Sequence, residues 1–268
     1  MDTNEELPNV ISFCSGYGGI ERGLDLAGVK HRVLAYVEIE AFAIANLVAK
    51  MEQGKLDPAP IYTDLKTFPA TLFRDCVDII TGGYPCQPFS AAGQRKGTDD
   101  PRHLWPYIRK HINTIRPARC FFENVEGHIS LGLSSVISDL EEDGYSATWG
   151  IFSAREVGAP HQRKRVYIMA DPGSKGLQGS SASRNSSGKE QEPNDELATR
   201  CDSKQVGAWP PEPRVGRVVD GCANRVDRIR LLGNAVLPQT AAKAWFVLSR
   251  GKNQPIPVKS QGKRENKS

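Results

Sequence analysis

The chain has 268 residues, 39% hydrophobic and 25% charged, enough for one α/β core with a smaller appendage. It has no apolar run near the ~18 residues of a membrane span, and its N-terminus, MDTNEELPN, is acidic where a secretory signal would be basic then apolar, so a cytoplasmic protein with no membrane partner is expected. Cysteines at 14, 76, 86, 120, 201 and 222 form no CxxC pair and no metal-ligand spacing, which argues against a disulfide scaffold or a metal site, and the net charge of +4 is concentrated in 155–165 and beyond Arg250.

Asn9 to Cys14 is a β-prone run followed at once by Ser15-Gly16-Tyr17-Gly18-Gly19, after which Ile20, Leu24 and Ala27 recur at helical spacing until Gly28. Strand, glycine turn and helix are the first unit of a doubly wound, Rossmann-like nucleotide-binding sheet. A dinucleotide fingerprint would need a glycine where Glu21 stands, so NAD is disfavoured. A second strand, Val33 to Val37, ends in Glu38, twenty residues after Gly18, the spacing at which an acid can take the hydroxyls of a ribose. The plain alternative is a glycine turn that serves packing alone. A helix from Ile39 to Met51 is expected to pack residues 44, 47, 48 and 51 on the sheet. Asp64, after a short run from Ile61, is placed either to read an adenine amino group or to cap a turn.

Val77 to Ile80 reads as a buried strand that empties into TGGYPCQPFS, residues 81–90. Gly82 and Gly83 permit close approach, and Pro85 and Pro88 fix the backbone around Cys86, which suits a nucleophile as well as an inert buried thiol. The polar stretch from Ala91 to His103 is long for a connection and suggests a lid or substrate-contacting loop. A helix with Trp105, Ile108, Ile112 and Ile115 inward and Pro106 in its first turn stops before Pro117. The strand from Arg119 to Phe122 leads into Glu123-Asn124-Val125, where Glu123 is either a solvent-facing strand end or part of a site. Val136, Ile137 and Leu140 mark another helix, Ser146 to Ser153 another strand, and the alternating run HQRKRVYIMA throws Arg163 and Arg165 to one side.

From Asp171 the character changes, and residues 173–204 are too poor in large apolar side chains to hold a core. The sheet domain resumes around LLGNAV, with Pro238 opening a helix through Leu248. The expected organisation is a sheet domain of 1–170 with 223–250, a small, partly disordered region of 171–222, and a disordered basic tail, 251–268.

Taken together, an adenosine-type turn, a proline-fixed cysteine, a strand-end carboxylate and two arginines fit one chemistry. A thiolate adding at C6 of cytosine turns the ring into an enamine whose C5 can attack an activated methyl group. Cys86 would supply the thiolate, Glu123 would hold or protonate N3, and Arg163 and Arg165 would orient them.

In order, FCSGYGGIERGL, GGYPCQPFS, FFENV, HQRKRVYIMA and LLGNAVLPQ resemble the DNA cytosine-C5 methyltransferase family. The resemblance implies S-adenosylmethionine as cofactor, held by Cys14, Ser15, Gly16, Tyr17, Gly18 and Gly19 of the first loop. It adds Glu38 and Ile39 at the ribose, Asp64 and Leu65 at the adenine, and Pro85, Leu104, Asn234 and Val236. It implies double-stranded DNA as substrate, with the target base flipped out, since C6 is unreachable inside a stack. Gln87, Ser90, Arg95 and Arg102 would then face DNA around the nucleophile, and Arg214, Arg217 and Arg228 would contact bases or phosphates. Three features depart from the family pattern: Cys14 stands where an aromatic residue is usual, so packing on adenine or ribose is either weaker or taken over by Phe13 or Tyr17, His161 replaces a glutamine, and 171–222, the region in which the family carries target recognition, is short and largely low-complexity. A monomer is expected, and neither the target sequence nor a partner restriction endonuclease is legible. An RNA substrate and a catalytically dead DNA-binding module are the competing readings.

Overall fold

In the computed structural model, residues 6–85, 104–173 and 235–250 are described, all within one compact unit. The elements alternate along the chain: β1 (Asn9–Phe13), α1 (Gly19–Leu26), β2 (Arg32–Val37), α2 (Ala41–Glu52), β3 (Ile61–Tyr62) and β4 (Ile79–Gly82). After residues 86–103 come α3 (Trp105–Ile115), β5 (Arg119–Val125), α4 (His128–Leu131), α5 (Leu133–Glu142), β6 (Tyr145–Phe152) and β7 (Arg165–Pro172), and α6 (Pro238–Ser249) closes the described chain.

The strands form one seven-stranded sheet of order β3-β2-β1-β4-β5-β7-β6. All pairs from β3 to β5 are parallel, and β7 runs antiparallel to both β5 and β6. Parallel strands are covered on both faces, and the alternating side chains divide accordingly. Ile11, Phe13, Ile80 and Phe122 meet Ile108, Ile112, Val136 and Leu140 of α3 and α5 on one face. Val10, Ile79, Phe121 and Tyr167 meet Leu24 of α1 and Ala241 and Trp245 of α6 on the other.

The order reverses between β1, whose chain goes on to β2, and β4 on its other side, so the carboxyl ends of β1 and β4 form the crevice where ligands of such sheets gather. Register sharpens the point. Phe13 pairs with Gly82 and Gly82 with Phe122, so the next residues, Cys14, Gly83 and Glu123, stand side by side at that edge.

Three expectations shift. β4 runs on through Thr81 and Gly82, so only Gly83 lies in the loop. α2 buries Ala43 and Leu47, with Met51 packed on the core, and leaves Val48 41% exposed, so its inward face follows the i, i+4, i+8 row 43–47–51 rather than the expected one. β7 continues to Pro172, held by the Arg119 guanidinium, whose Nε lies 2.6 Å from Oδ1 of Asp171. The expected recognition region, beyond Gly173, lies outside the described residues, as does the basic tail.

Candidate active site

The loop after β1 is tied to the end of β2. Ser15 N donates to the Val37 carbonyl at 3.1 Å, and Val37 N donates back to Ser15 Oγ at 3.2 Å. Gly16 N donates to Glu38 Oε2 at 2.7 Å, while Glu38 Oε1 accepts the N–H groups of Ile39 and Glu40, each at 2.9 Å. Burial pushes the Glu38 pKa up, and these three N–H groups draw it back. Oε1 has both lone pairs engaged, whereas Oε2, with Gly16 N as donor, keeps one for an outside group.

A pocket opens beside this loop, lined by Cys14, Ser15, Gly16 and Tyr17 and faced by Gly83 and Val236. At Gly19 a Cβ would stand 2.5 Å from the Val236 carbonyl oxygen, so only glycine lets the returning segment lie against the first loop. Cys14 adopts a left-handed φ of 49°, and burial, then the nearby Glu38 charge, pushes its thiol up to about 12, which leaves it neutral and unreactive. Of the two aromatic residues expected to compensate for Cys14, Phe13 is fully buried in the core, whereas Tyr17 lines the pocket. Lys50 steadies it, with Nζ 2.7 Å from the Tyr17 carbonyl oxygen and 4.4 Å from the ring centroid.

Further along the edge, Ile39 is 72% exposed beside Glu38. Asp64 Oδ1 accepts Lys66 N at 2.8 Å, the turn-capping role, which leaves Oδ2 for other partners. Leu65 is buried with its carbonyl 2.7 Å from His111 Nε2, and Leu104 packs on the core that includes Trp105. Pro85 is exposed.

On the other side of the crevice Glu123 projects from β5, 6% exposed, with Oε1 2.9 Å from Arg165 Nε. Burial raises its pKa to about 7, outweighing the opposing pull of Arg165 and Arg163. Arg165 opens β7 and pairs in register with Val125, two residues beyond Glu123 and on the same face. Arg163 differs from the expectation: it precedes the strand with a φ of 36°, so alternation does not set its direction. Its guanidinium donates to the Ala235 carbonyl at 2.5 Å and stays within electrostatic reach of Glu123. A Cβ on Gly83 would lie 3.4 Å from Glu123 Oε2 and 3.6 Å from Val236 Cγ2, so Gly83 marks where the carboxylate, the pocket and the returning segment converge.

Asn124 Nδ2 donates to the Tyr84 carbonyl at 3.1 Å, fixing the peptide unit ahead of Pro85. Glu21 entered the sequence reading only as the residue that breaks the dinucleotide fingerprint, and Tyr84, Lys50 and His128 escaped it. Glu21 is 1% exposed, accepts from Thr81 Oγ1 at 2.6 Å and lines the same pocket; its place as the acidic residue after Gly-Gly-Ile was the signal for it. Lone His128 gave none. Cys86, Gln87, Ser90, Arg95, Arg102, Arg214, Arg217, Arg228 and Asn234 lie outside the described residues. Among the described residues no cluster of His, Cys, Asp and Glu could hold a metal, and no helix is long and apolar enough to cross a membrane.

Residues 8–208 match the C-5 cytosine-specific DNA methylase family. The chain belongs to that family. Its relatives include the Type II methyltransferase M.NgoMIV of Neisseria gonorrhoeae, 31% identical over 164 residues that make up 60% of this chain and 50% of the relative. The Type II methyltransferase M.HgiCII of Herpetosiphon aurantiacus is 27% identical over 256 residues, 93% of this chain and 55% of the relative. The chain thus spans about half the length of these relatives. The S. pombe Dnmt2 methyltransferase shares the fold, with a TM-score of 0.61 and 19% identity over 92% of this chain and 100% of that one. Enzymes of the C-5 cytosine methylase family use S-adenosylmethionine, and the residues here fit it. Glu38 keeps an acceptor site on Oε2 at the end of β2, the Cys14–Gly19 loop offers bare backbone, and Val236 offers an apolar wall.

Proposed function

We propose that the chain transfers a methyl group from S-adenosylmethionine to C5 of cytosine in double-stranded DNA, through a covalent bond from Cys86 to C6 of a flipped-out base. The observation that carries this reading is Glu123: a buried carboxyl group beside the donor pocket, ion-paired at 2.9 Å with Arg165 and held near a pKa of 7. Such a group exists in both protonation states at neutral pH, as a residue that gives up and recovers a proton must. The names of the Type II relatives support DNA as the substrate.

In this mechanism the Cys86 thiolate adds at C6 while Glu123 gives its proton to N3, so the ring electrons collect at C5 without building charge on the base. Arg165 holds the Glu123 carboxyl in one rotamer, and Arg163, through the Ala235 carbonyl, holds the segment that carries Val236 against the first loop. S-adenosylmethionine, when bound, would supply the methyl group from its sulfonium sulfur, the S–CH3 bond breaking as the C5–CH3 bond forms and a neutral thioether being left. Loss of the C5 proton to a base then expels Cys86 and restores aromaticity, and Glu123 recovers its proton from N3.

Residues 1–170 with 223–250 carry catalysis in this reading, and 171–222, with Arg214 and Arg217, choose the target, supported by the change of composition at Asp171. Arg228 and the stretch from Gln87 to Arg102 add contacts to DNA. The protein acts as a cytoplasmic monomer, in a restriction-modification setting supported by the Type II names. Labelled methyl transfer to duplex DNA and to tRNA, with bisulfite sequencing of the DNA product, tests the proposal. Incorporation into DNA at a fixed sequence context is the expected result, and activity on tRNA alone would overturn it.

A further inference from the structure

Beside the expected nucleophile lies a buried polar contact that the chemistry above does not use. Tyr84, two residues before Cys86, is 3% exposed, and its hydroxyl sits 3.0 Å from Nε2 of His128, the fully buried first residue of α4. The Tyr84 ring packs on Trp105, Phe122 and His128 with centroids 5.6, 5.9 and 5.6 Å away, and its carbonyl is held by Asn124 Nδ2 at 3.1 Å. Tyr84 is therefore gripped at both its phenol and its peptide.

Folding alone does not call for this pair. His128 Nδ1 has no partner among the described residues, so Tyr84 is the one hydrogen-bond partner of an imidazole sealed in an apolar cluster. A phenylalanine and a leucine would fill the same space with no polar atom left over. What they would lack is direction, because apolar packing tolerates rotation and sliding of the ring where a hydrogen bond does not. Burial also pushes the His128 pKa down to about 4, so the imidazole stays uncharged through neutral pH.

We propose that the Tyr84–His128 hydrogen bond is a positioning device for the nucleophile: with Asn124 it fixes the direction in which the chain leaves β4, and so aims Cys86 toward C6 of the base that Glu123 holds. This rests on the reading of Cys86 as the nucleophile. Its action is expected at the addition step, since neither Tyr84 nor His128 lines the pocket formed by the first loop, Gly83 and residues 235–236.

The test compares wild type, Tyr84→Phe, His128→Leu and the double variant in single-turnover transfer to the duplex DNA that wild type methylates. Donor affinity and thermal unfolding are measured alongside. Each single variant should slow transfer about tenfold or more at unchanged donor affinity, the double variant should be no slower than either single one, and it should melt no lower than wild type. Wild-type transfer rates in all variants would overturn the proposal, as would a donor affinity that falls in step with the rate, or losses that multiply in the double variant. Those outcomes leave the enzyme reading intact. A wild type that transfers to neither DNA nor tRNA overturns that reading and the positioning role with it.

Discussion

Glu38 and Glu123, on opposite sides of the crevice, are buried almost equally, at 8% and 6% exposure, but they are held by different chemistry. Glu38 is met by three backbone N–H groups, which are fixed dipoles with no proton to exchange at working pH, and it acts as a strut between β2 and the first loop. Glu123 is ion-paired with the Arg165 guanidinium and lies within electrostatic reach of Arg163, but burial outweighs both, so its protonated and ionised forms lie close in energy near neutrality. Equal burial therefore does not mean equal function. Fixed N–H dipoles favour the charged form of a carboxylate, whereas burial that outweighs its cationic neighbours brings its two protonation states close in energy.

The largest expected effect tests the half of the site that Glu123 serves. Cys86→Ala should lower methyl transfer at least roughly 10⁴-fold, the scale of losing a nucleophile, with donor affinity nearly unchanged; equal turnover would end the covalent mechanism. Glu123→Gln should cost about 10²- to 10³-fold in rate, the range of one general acid. The wild-type rate should also fall as pH rises through about 7, where Glu123 loses its proton, while the variant's residual rate should lose that inflection. Stability carries the same signature. Because the folded pKa is about 7 against an ordinary 4.5, the Glu123 contribution is intact below 4.5 and is lost as pH rises through 7. Between those limits wild type should lose up to about 3 kcal/mol relative to Glu123→Gln, measured by denaturant unfolding at several pH values.

On the other side, Glu38→Gln should weaken donor binding about tenfold to a hundredfold, the worth of charge-assisted bonds to backbone, and leave the rate at saturating donor within about twofold. Calorimetric titration with S-adenosylmethionine separates these, and a rate loss without an affinity loss would erase the contrast between the two carboxylates. The smallest effect is at the shared wall. Gly19→Ala places a Cβ against the Val236 carbonyl and should cost about 1–3 kcal/mol in thermal unfolding.

The donor side was the more legible in sequence. Its strand, glycine turn, helix and second strand are consecutive, so the span from Gly18 to Glu38 carries the geometry along the chain. Glu123 was legible as a candidate, since a strand-end carboxylate in an open α/β sheet is a ligand position, but its proton affinity was not. That depends on Arg165, 42 positions away, and on the apolar cover around it. Alternation located Arg165 and misjudged Arg163, because the strand begins between them and a left-handed residue breaks the period-2 rule. The Tyr84–His128 contact joins residues 44 positions apart and left no mark in either local pattern.

By itself the sequence determined which reactive groups exist, the order in which strand ends present them and the turns that carry them, because glycine, proline and alternation act over a few residues at a time. The tertiary structure decided which of those groups share an environment. The β1, β4 and β5 register sets Gly83 beside Glu123, and the Ala235–Val236 segment closes the donor pocket. Burial by groups distant in the chain is what separates a carboxylate that binds from one that titrates, because desolvation and pairing depend on the neighbours in space.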